Sequence, residues 1–273
     1  MPRILITGSN SGFGRLATMT LARAGHDVIA TMRNVAKGDL LLADCAAEGL
    51  EIEVRHLDVC DLASVDAALA DASEIDVLVN NAGFEIQGAL EMIDDDLMRR
   101  QLDTNVLGPL RTMRAVLPTW RTRGTGVIVN VSSIAGRVAT PWGGAYAASK
   151  FALEAMSEAM YYEVAPAGIR IHLIEPGRFP TAFADNIVHP DGWAGSEQEA
   201  RANSFRQALT ALDAAGPQDP QLVADAIVRA ALDPATPLRT VVGADAELID
   251  GAKTAMSFED FEATMRATLN WYE

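Results

Sequence analysis

The chain has few of the features that mark secreted, membrane-spanning or nucleic-acid-binding proteins. Its 273 residues include two cysteines, Cys45 and Cys60, too few for a disulfide framework and typical of a reducing compartment. No apolar run reaches the ~18 residues that a membrane-spanning helix needs. Lysine and arginine number 22 against 37 acidic residues, and the net charge of −15 opposes binding to phosphates of nucleic acid. These absences predict a soluble protein that binds neither membranes nor nucleic acid.

A targeting segment and a metal motif are also missing. Met1-Pro2-Arg3 leads directly into Ile4-Leu5-Ile6, an apolar run too short for the core of a signal peptide, so we expect a cytoplasmic protein. The spacing of the four histidines matches no metal-binding pattern, which predicts that the chain has no metal site. These histidines are His26, His56, His172 and His189.

Short apolar runs alternate with helical patterns along most of the chain. Strands are predicted at Arg3 to Thr7, Val28 to Met32, Ile52 to Leu57, Val77 to Asn80, Val127 to Val131, Ile169 to Ile174 and Thr240 to Val242. Helices are predicted at Gly14 to Ala24, Gly38 to Glu48, Leu62 to Ser73, Asp94 to Arg121, Ala145 to Ala165 and Gln221 to Leu232. The strands are continuously apolar, as expected when both faces are covered. The pattern predicts an α/β fold with a doubly wound parallel sheet in three α/β/α layers.

One long segment interrupts this alternation. Between residues 178 and 220 the sequence predicts no strand, several turns at glycine and proline, and one helix at Glu197 to Ala214. Long insertions in compact domains are usually functional, so we interpret residues 178–220 as a substrate lid. No linker or repeat divides the chain, and residues 1–273 are predicted to form a single domain.

A glycine-rich loop follows the first predicted strand. Glycines permit a tight turn and a close approach of the backbone to a ligand, and the N-terminus of the following helix attracts a pyrophosphate. A turn without a ligand is the alternative interpretation of this loop. The loop comprises Gly8, Ser9, Asn10, Ser11, Gly12, Phe13 and Gly14.

Tyr146 and Lys150 share one face of a predicted helix, since they are four residues apart. A free phenol has a pKa near 10, and a nearby ammonium group lowers that pKa. Tyr146 is therefore predicted to act as a general acid or base, and Ser133 to hydrogen-bond the oxygen of the substrate. The alternative is an ordinary amphipathic helix.

Taken together, these motifs resemble those of the short-chain dehydrogenase/reductase family in its single-domain form. The resemblance rests on the glycine spacing and on motifs in the family's order, from the first strand to about Thr181. The motifs are Asn80-Asn81-Ala82-Gly83, Asn105, Ser133, Tyr146-Ala147-Ala148-Ser149-Lys150, Pro176-Gly177 and Thr181. The resemblance implies a Rossmann-type fold and hydride transfer between NAD(P) and a carbonyl or alcohol.

The resemblance also implies roles for individual residues. It selects Ser133 rather than Ser132, because the family's serine lies thirteen residues before the tyrosine. Asn105 would hold a water linked to the catalytic lysine, and Lys150 would also bind the nicotinamide ribose. The remaining cofactor contacts implied are Asp58 and Val59 at the adenine, Asn81, Ala82 and Gly83 near the ribose, and Pro176, Gly177 and Thr181 at the nicotinamide.

Arg33 bears on the choice of cofactor. An NAD-binding protein often carries an acidic residue where the second strand ends, and this chain has Met32 followed by Arg33. A guanidinium suits the 2′-phosphate of NADP, so NADP is predicted, with NAD as a possible second cofactor. A solvated surface arginine is the alternative.

The substrate is predicted only as a small carbonyl or alcohol compound. Trp142, one helical turn before Tyr146, is the aromatic residue we expect in its pocket, although lid packing would also explain it. Two other functions remain open: a nucleotide-sugar epimerase or dehydratase, and a silent cofactor-binding regulator. The resemblance implies a homodimer or homotetramer, formed through the helices that contain Asn105 and Tyr146.

Overall fold

The computed structural model describes residues 1–211 and 216–270, which contain one seven-stranded sheet. All strands are parallel, in the order β3-β2-β1-β4-β5-β6-β7. The strands are β1 Arg3–Thr7, β2 Asp27–Met32, β3 Glu53–His56, β4 Val77–Asn80, β5 Gly126–Val131, β6 Ile169–Pro176 and β7 Arg239–Val242. The predicted doubly wound parallel sheet is confirmed.

Helices cover both faces of the sheet. Buried side chains of α1 and α8 pack on one face, and those of α3, α5 and α6 pack on the other. The helices are α1 Gly12–Arg23, α2 Asp39–Ala47, α3 Leu62–Ala68, α4 Asp95–Leu102, α5 Gly108–Arg123, α6 Gly144–Val164, α7 Glu197–Ala211, α8 Gln221–Leu232, α9 Ala244–Ala255 and α10 Phe258–Leu269. None of the described helices is long and apolar enough to cross a bilayer.

Three differences from the predicted helices bear on the site. The helix predicted from Asp94 to Arg121 is two helices, α4 and α5, joined by a π-helical turn at Asp103–Leu107. Helix α3 ends at Ala68, five residues before the predicted Ser73. The helices α9 and α10 follow β7, where no helix was predicted.

The inserted segment is more ordered than its glycines and prolines suggest. A short helical turn at Ala184–Asn186 precedes α7, and Ile86 and Val188 form an isolated parallel bridge. The helix predicted up to Ala214 is described as far as Ala211, and residues 212–215 lie outside the described residues.

The sheet order reverses between β1 and β4. In parallel α/β sheets the crevice at such a switch point, outside the carboxyl ends of the strands, is where ligands bind. The glycine loop follows β1, and Asn81 follows β4, at this crevice. The fold therefore positions the predicted motifs together.

Candidate active site

The glycine loop is packed tightly against the loop after β4. A Cβ atom on Gly8 would lie 2.9 Å from the Cα of Ala82, and one on Gly14 would lie 2.6 Å from the carbonyl oxygen of Gly8. Gly8 also has a φ of +70°, in the left-handed region that favours glycine. The Asn81 side chain donates to the carbonyl oxygens of Thr7 and Gly8, at 2.9 and 3.0 Å. Larger residues would disrupt this close approach.

The start of α1 suits an anion such as a pyrophosphate. Within the described chain, the Ser11 side chain does not cap the helix, and the first turn contains no acidic residue. The first amides of a helix have no partner within it, and they carry partial positive charge. Gly12 has a φ of +54°, and Thr181 lies against it. Ser9 is buried and holds the turn, because its amide donates to the carbonyl oxygen of Thr31. These residues fit a dinucleotide, with Asn10 and Phe13 partly exposed beside them.

The ends of β2 and β3 carry the residues predicted at the adenosine side. Arg33 is exposed immediately after β2. Asp58 accepts a hydrogen bond from the amide of Cys60, at 3.0 Å, and so shapes the turn after β3. Val59 is buried against Gly108, where a Cβ would lie 2.8 Å from a Val59 methyl group. Asp58 and Val59 therefore have structural roles whether or not they contact a cofactor.

Tyr146, Ser133 and Lys150 converge at the carboxyl ends of β5 and β6. The Lys150 ammonium lies 5.6 Å from the centre of the Tyr146 ring and donates to the carbonyl oxygen of Val131 at 2.8 Å. Ser133 follows β5, and its hydroxyl oxygen lies 3.5 Å from the carbonyl oxygen of Pro176. Ser132, the neighbouring candidate, is buried, and its hydroxyl has no hydrogen-bond partner among the described residues.

Burial has opposite effects on the two titratable groups of this cluster. Burial, followed by the charge of Glu85, raises the pKa of Tyr146 above its usual value, while a hydrogen bond with Ser133 lowers it. Burial lowers the pKa of Lys150 to about 8, and the charge of Glu154 opposes this shift. The sequence predicted a lowered pKa for Tyr146, and the structure gives the opposite direction because desolvation of the phenolate outweighs the other effects.

Asn105 lies in the π-helical turn between α4 and α5, a type of irregularity that is frequent at functional sites. Its amide group donates to the Phe84 carbonyl oxygen and to the Ser149 hydroxyl, both at 3.0 Å, and its oxygen accepts from the Phe84 amide at 3.2 Å. Gly83 leaves the space for Asn105, since a Cβ there would lie 3.1 Å from the Asn105 oxygen. Asn105 thus connects the loop after β4 to α6, next to Lys150.

Pro176 and Gly177 end β6 and begin the inserted segment. A Cβ on Gly177 would lie 2.2 Å from a carboxylate oxygen of Asp245, which also accepts the Arg178 amide at 2.8 Å. From this anchored start the segment crosses the glycine loop. The Phe179 ring meets the Phe13 ring edge-to-face, with 5.7 Å between centroids.

Trp142 lies between α6 and the inserted segment. Its indole nitrogen donates to Gln198 at 3.0 Å, and its ring centre is 5.8 Å from that of Phe205. Its φ of 60° is unusual for a bulky residue and indicates a backbone held by its surroundings. Another aromatic residue, Phe183, is beside the catalytic cluster, with its ring centre 6.0 Å from that of Tyr146.

Sequence reasoning missed four residues that shape this site. Gln101 is fully buried and donates to the Phe84 carbonyl oxygen at 2.8 Å, while its own oxygen accepts the Ile86 amide at 2.6 Å. Its position four residues before Asn105 was a usable signal, because the two share a helix face. The other missed residues are Thr7, Ser149 and Glu85.

The described residues contain no group of three or more histidine, cysteine or carboxylate side chains that could hold a metal ion. His172 lies beside the carbonyl oxygen of Pro237, with 2.9 Å between nitrogen and oxygen, and His189 stacks on Trp193.

A parallel α/β sheet, a glycine loop at its switch point and a Tyr–Lys–Ser cluster beside it define a dinucleotide-dependent oxidoreductase. Comparison with known proteins identifies the family. The sequence profile described as short chain dehydrogenase matches residues 2–192. The chain belongs to the short-chain dehydrogenase/reductase family, and it is an NAD(P)-dependent oxidoreductase acting on CH–OH or C=O groups.

Similar proteins cover most of the chain. It is 38% identical to a 3-ketodihydrosphingosine reductase of Bacteroides thetaiotaomicron over 216 residues, which are 77% of this chain and 75% of that protein. It is 36% identical to human retinol dehydrogenase 8 over 248 residues, or 86% and 79% of the two chains. The crystal structure of a short-chain dehydrogenase from Streptomyces avermitilis is 35% identical, with a TM-score of 0.77 and 98% of each chain covered.

Proposed function

We propose that this protein is an NADP(H)-preferring reductase of a ketone or aldehyde, with Tyr146 as the general acid. The observation that carries the proposal is the Tyr146 phenol itself. It lies beside Ser133 and Lys150 at the carboxyl edge of the sheet, and its raised pKa keeps it protonated at neutral pH. A protonated phenol is ready to give a proton to a carbonyl oxygen.

In this mechanism the chain's own residues position the substrate and move the proton. Bound NADPH supplies the hydride to the carbonyl carbon. Ser133 donates a hydrogen bond to the carbonyl oxygen and stabilises the negative charge that develops there. Tyr146 gives its proton to the same oxygen, which completes the alcohol. Lys150 favours the phenolate that remains, and it is the residue we assign to the hydroxyls of the nicotinamide ribose.

Asn105 is assigned to the support of this cluster, because its amide joins the loop after β4 to Ser149, the residue before Lys150. Asn81, Ala82 and Gly83 form the ribose wall in this proposal. The pyrophosphate is assigned to the glycine loop and the start of α1, since the uncapped helix and the lack of acidic residues favour an anion there. Pro176, Gly177 and Thr181 would border the nicotinamide.

Arg33 supports the preference for NADP. It is exposed directly after β2, where a short chain segment separates it from the glycine loop in space, and Asp58 and Val59 follow the neighbouring strand. A guanidinium can form charge-assisted hydrogen bonds with the 2′-phosphate.

Residues 178–220 are assigned to a substrate lid within one domain that spans residues 1–273. The contact of Phe183 with Tyr146 supports this assignment, and so does the packing of Trp142 on α7. We also propose a homodimer or homotetramer through the helices containing Asn105 and Tyr146. Large apolar side chains exposed on α6, Phe151, Tyr161 and Tyr162, support that interface.

The replacement Tyr146→Phe tests the reaction. NADPH oxidation is followed with a panel of ketones and aldehydes, and the variant should lose nearly all turnover, because it lacks only the transferable proton. Its affinity for NADPH should be almost unchanged. Tyr161→Phe is the matched control, since Tyr161 is an exposed tyrosine on the same helix, and it should behave as the wild type. Turnover by Tyr146→Phe near the wild-type rate would exclude the assigned role.

A further inference from the structure

Glu85 is an acidic residue beside the candidate catalytic cluster. It follows Asn81-Ala82-Gly83-Phe84 in the loop after β4, and it is partly buried. Its charge raises the pKa of Tyr146, which shows that the carboxylate and the phenol share one electrostatic environment. The mechanism proposed above gives this carboxylate no role.

The backbone around Glu85 is held from two sides. Gln101 binds the carbonyl oxygen of Phe84 and the amide of Ile86, on the two sides of Glu85 in the chain. From the opposite direction, the Val188 amide donates to the Glu85 carbonyl oxygen at 2.9 Å. The position of Glu85 is therefore set by α4 and by the inserted segment, in a loop with little freedom to move away from Tyr146.

The Glu85 carboxylate has no hydrogen bond or ion pair with any residue in the ranges 1–211 and 216–270. Burial raises its pKa to about 6, and the charge of Arg206 on α7 opposes this shift. Arg206 does not form a pair with it, because its guanidinium donates to the Gln87 side chain at 3.0 Å and to Asn203. Glu85 is thus a largely ionised acceptor at neutral pH. A partly desolvated carboxylate without a donor is unfavourable, and a donor from a ligand would remove that cost.

Resting on the proposed carbonyl reductase function, we propose that Glu85 selects substrates that carry a hydrogen-bond donor, an ammonium or hydroxyl group, on the carbon next to the reacting carbonyl. The carbonyl oxygen lies between Ser133 and Tyr146, and the donor points to the Glu85 carboxylate. Simple ketones lack that donor and leave the carboxylate without a partner. The enzyme then discriminates against them, because a site built to bind a polar group loses its pairing when the group is missing.

Three ketones of nearly equal size test this inference: butanone, hydroxyacetone and aminoacetone. The wild type should reduce hydroxyacetone or aminoacetone with a kcat/KM about ten- to a hundredfold above that for butanone, the range expected of a charge-assisted hydrogen bond. Preference for aminoacetone identifies an ammonium group as the natural donor, and preference for hydroxyacetone identifies a hydroxyl. Glu85→Gln should remove most of the preference for the amino ketone and leave butanone reduction within about twofold of the wild type.

Glu197→Gln is the matched control, because it removes the same charge from an exposed position at the start of α7 and should leave the preference unchanged. Binding of the corresponding alcohols to the enzyme–NADPH complex, followed by nicotinamide fluorescence, gives the same comparison without turnover. Equal kcat/KM for the three ketones, or a preference that survives in Glu85→Gln, overturns the inference while the reductase function stands. If the three small ketones are not turned over, the order of the alcohol affinities decides. Failure of the proposed function differs from this, since no carbonyl compound in the wider panel would then oxidise NADPH.

Discussion

Single residues in this site carry different tasks because their surroundings differ. Lys150 and Tyr146 share a helix face, yet burial favours the neutral form of each. For the phenol that form holds the proton needed for reduction. For the lysine it is the form without charge, so the ammonium is lost at a lower pH than in water. The two shifts place the working range of the site below about pH 8.

The lowered pKa of Lys150 predicts how NADPH binding depends on pH. Below about pH 8 the ammonium is charged and can donate to the ribose, and above that pH the charge is lost. The dissociation constant for NADPH should therefore rise about tenfold as pH increases through this value. Lys150→Met should bind weakly at every pH without that step. Titrations of nicotinamide fluorescence between pH 6 and pH 10 measure both, and identical profiles for wild type and variant would contradict the assignment.

Arg33 predicts the choice between the two cofactors. NADPH should bind about ten- to a hundredfold more tightly than NADH, and Arg33→Ala should remove most of the difference by weakening NADPH alone. Arg100→Ala is the control, because it removes an equally exposed positive charge from α4, away from the end of β2. Dissociation constants measured by fluorescence for both cofactors give the comparison. Equal affinities in the unmodified protein would rule out the role of Arg33.

At the scale of helices and strands, the sequence predicted what depends on local pattern. Continuous apolar runs identified all seven strands within two residues at each end, because strands covered on both faces leave little room for polar residues. The motifs after β1, β4 and β5 and on α6 were found by their order along the chain. The structure then brought Gly8, Asn81, Ser133 and Tyr146 to one edge of the sheet.

Other elements depend on contacts that no local pattern contains. The π-helical turn at Asp103–Leu107 was predicted as regular helix, because its side chains continue the helical pattern and only its contacts with Phe84 and Ser149 distinguish it. Glu85 was missed for a similar reason. Its proximity to Tyr146 results from the sheet order, and nothing in the sequence around Glu85 indicates it.

The inserted segment predicts a graded response to ligands. Residues 178–187 contact the glycine loop and Tyr146 through side chains, whereas the Val188 amide is already bonded to Glu85. Amide exchange should be fast across residues 178–187 in the free protein and should slow when NADPH and a substrate analogue bind. The Val188 amide and α8 should be protected throughout, and they serve as internal controls. Slow exchange across residues 178–187 without ligand, unchanged on binding, would show that this stretch is no lid.

At the scale of the whole molecule, a buried charge cluster joins elements behind the catalytic site. Glu175, at the end of β6, is completely buried and lies 3.5 Å from Arg239 of β7 and 3.7 Å from Arg137. Arg239 also pairs with Glu154 of α6 at 3.0 Å. Neither carboxylate oxygen of Glu175 has a hydrogen-bond partner within the described ranges. Burial and the charge of Glu154 raise the pKa of Glu175 to about 8, although both arginines oppose the shift.

This cluster predicts a dependence of stability on pH that Glu175 controls. Its carboxyl group binds a proton more tightly in the folded chain than in the unfolded chain, where its pKa is near 4.5. The folded state therefore holds the extra proton between pH 4.5 and about 8, and its stability falls as pH rises through this range. Glu175→Gln keeps the shape and removes the titration, so the free energy of unfolding should fall less steeply with pH, by roughly 2–5 kcal/mol over the range. Urea denaturation of both proteins at a series of pH values measures the difference. Glu158→Gln removes a more exposed carboxylate that also pairs with Arg239, and it should keep the wild-type slope. If wild type and Glu175→Gln lose stability in parallel from pH 5 to pH 8, Glu175 is ionised throughout and the two arginines hold it as a carboxylate.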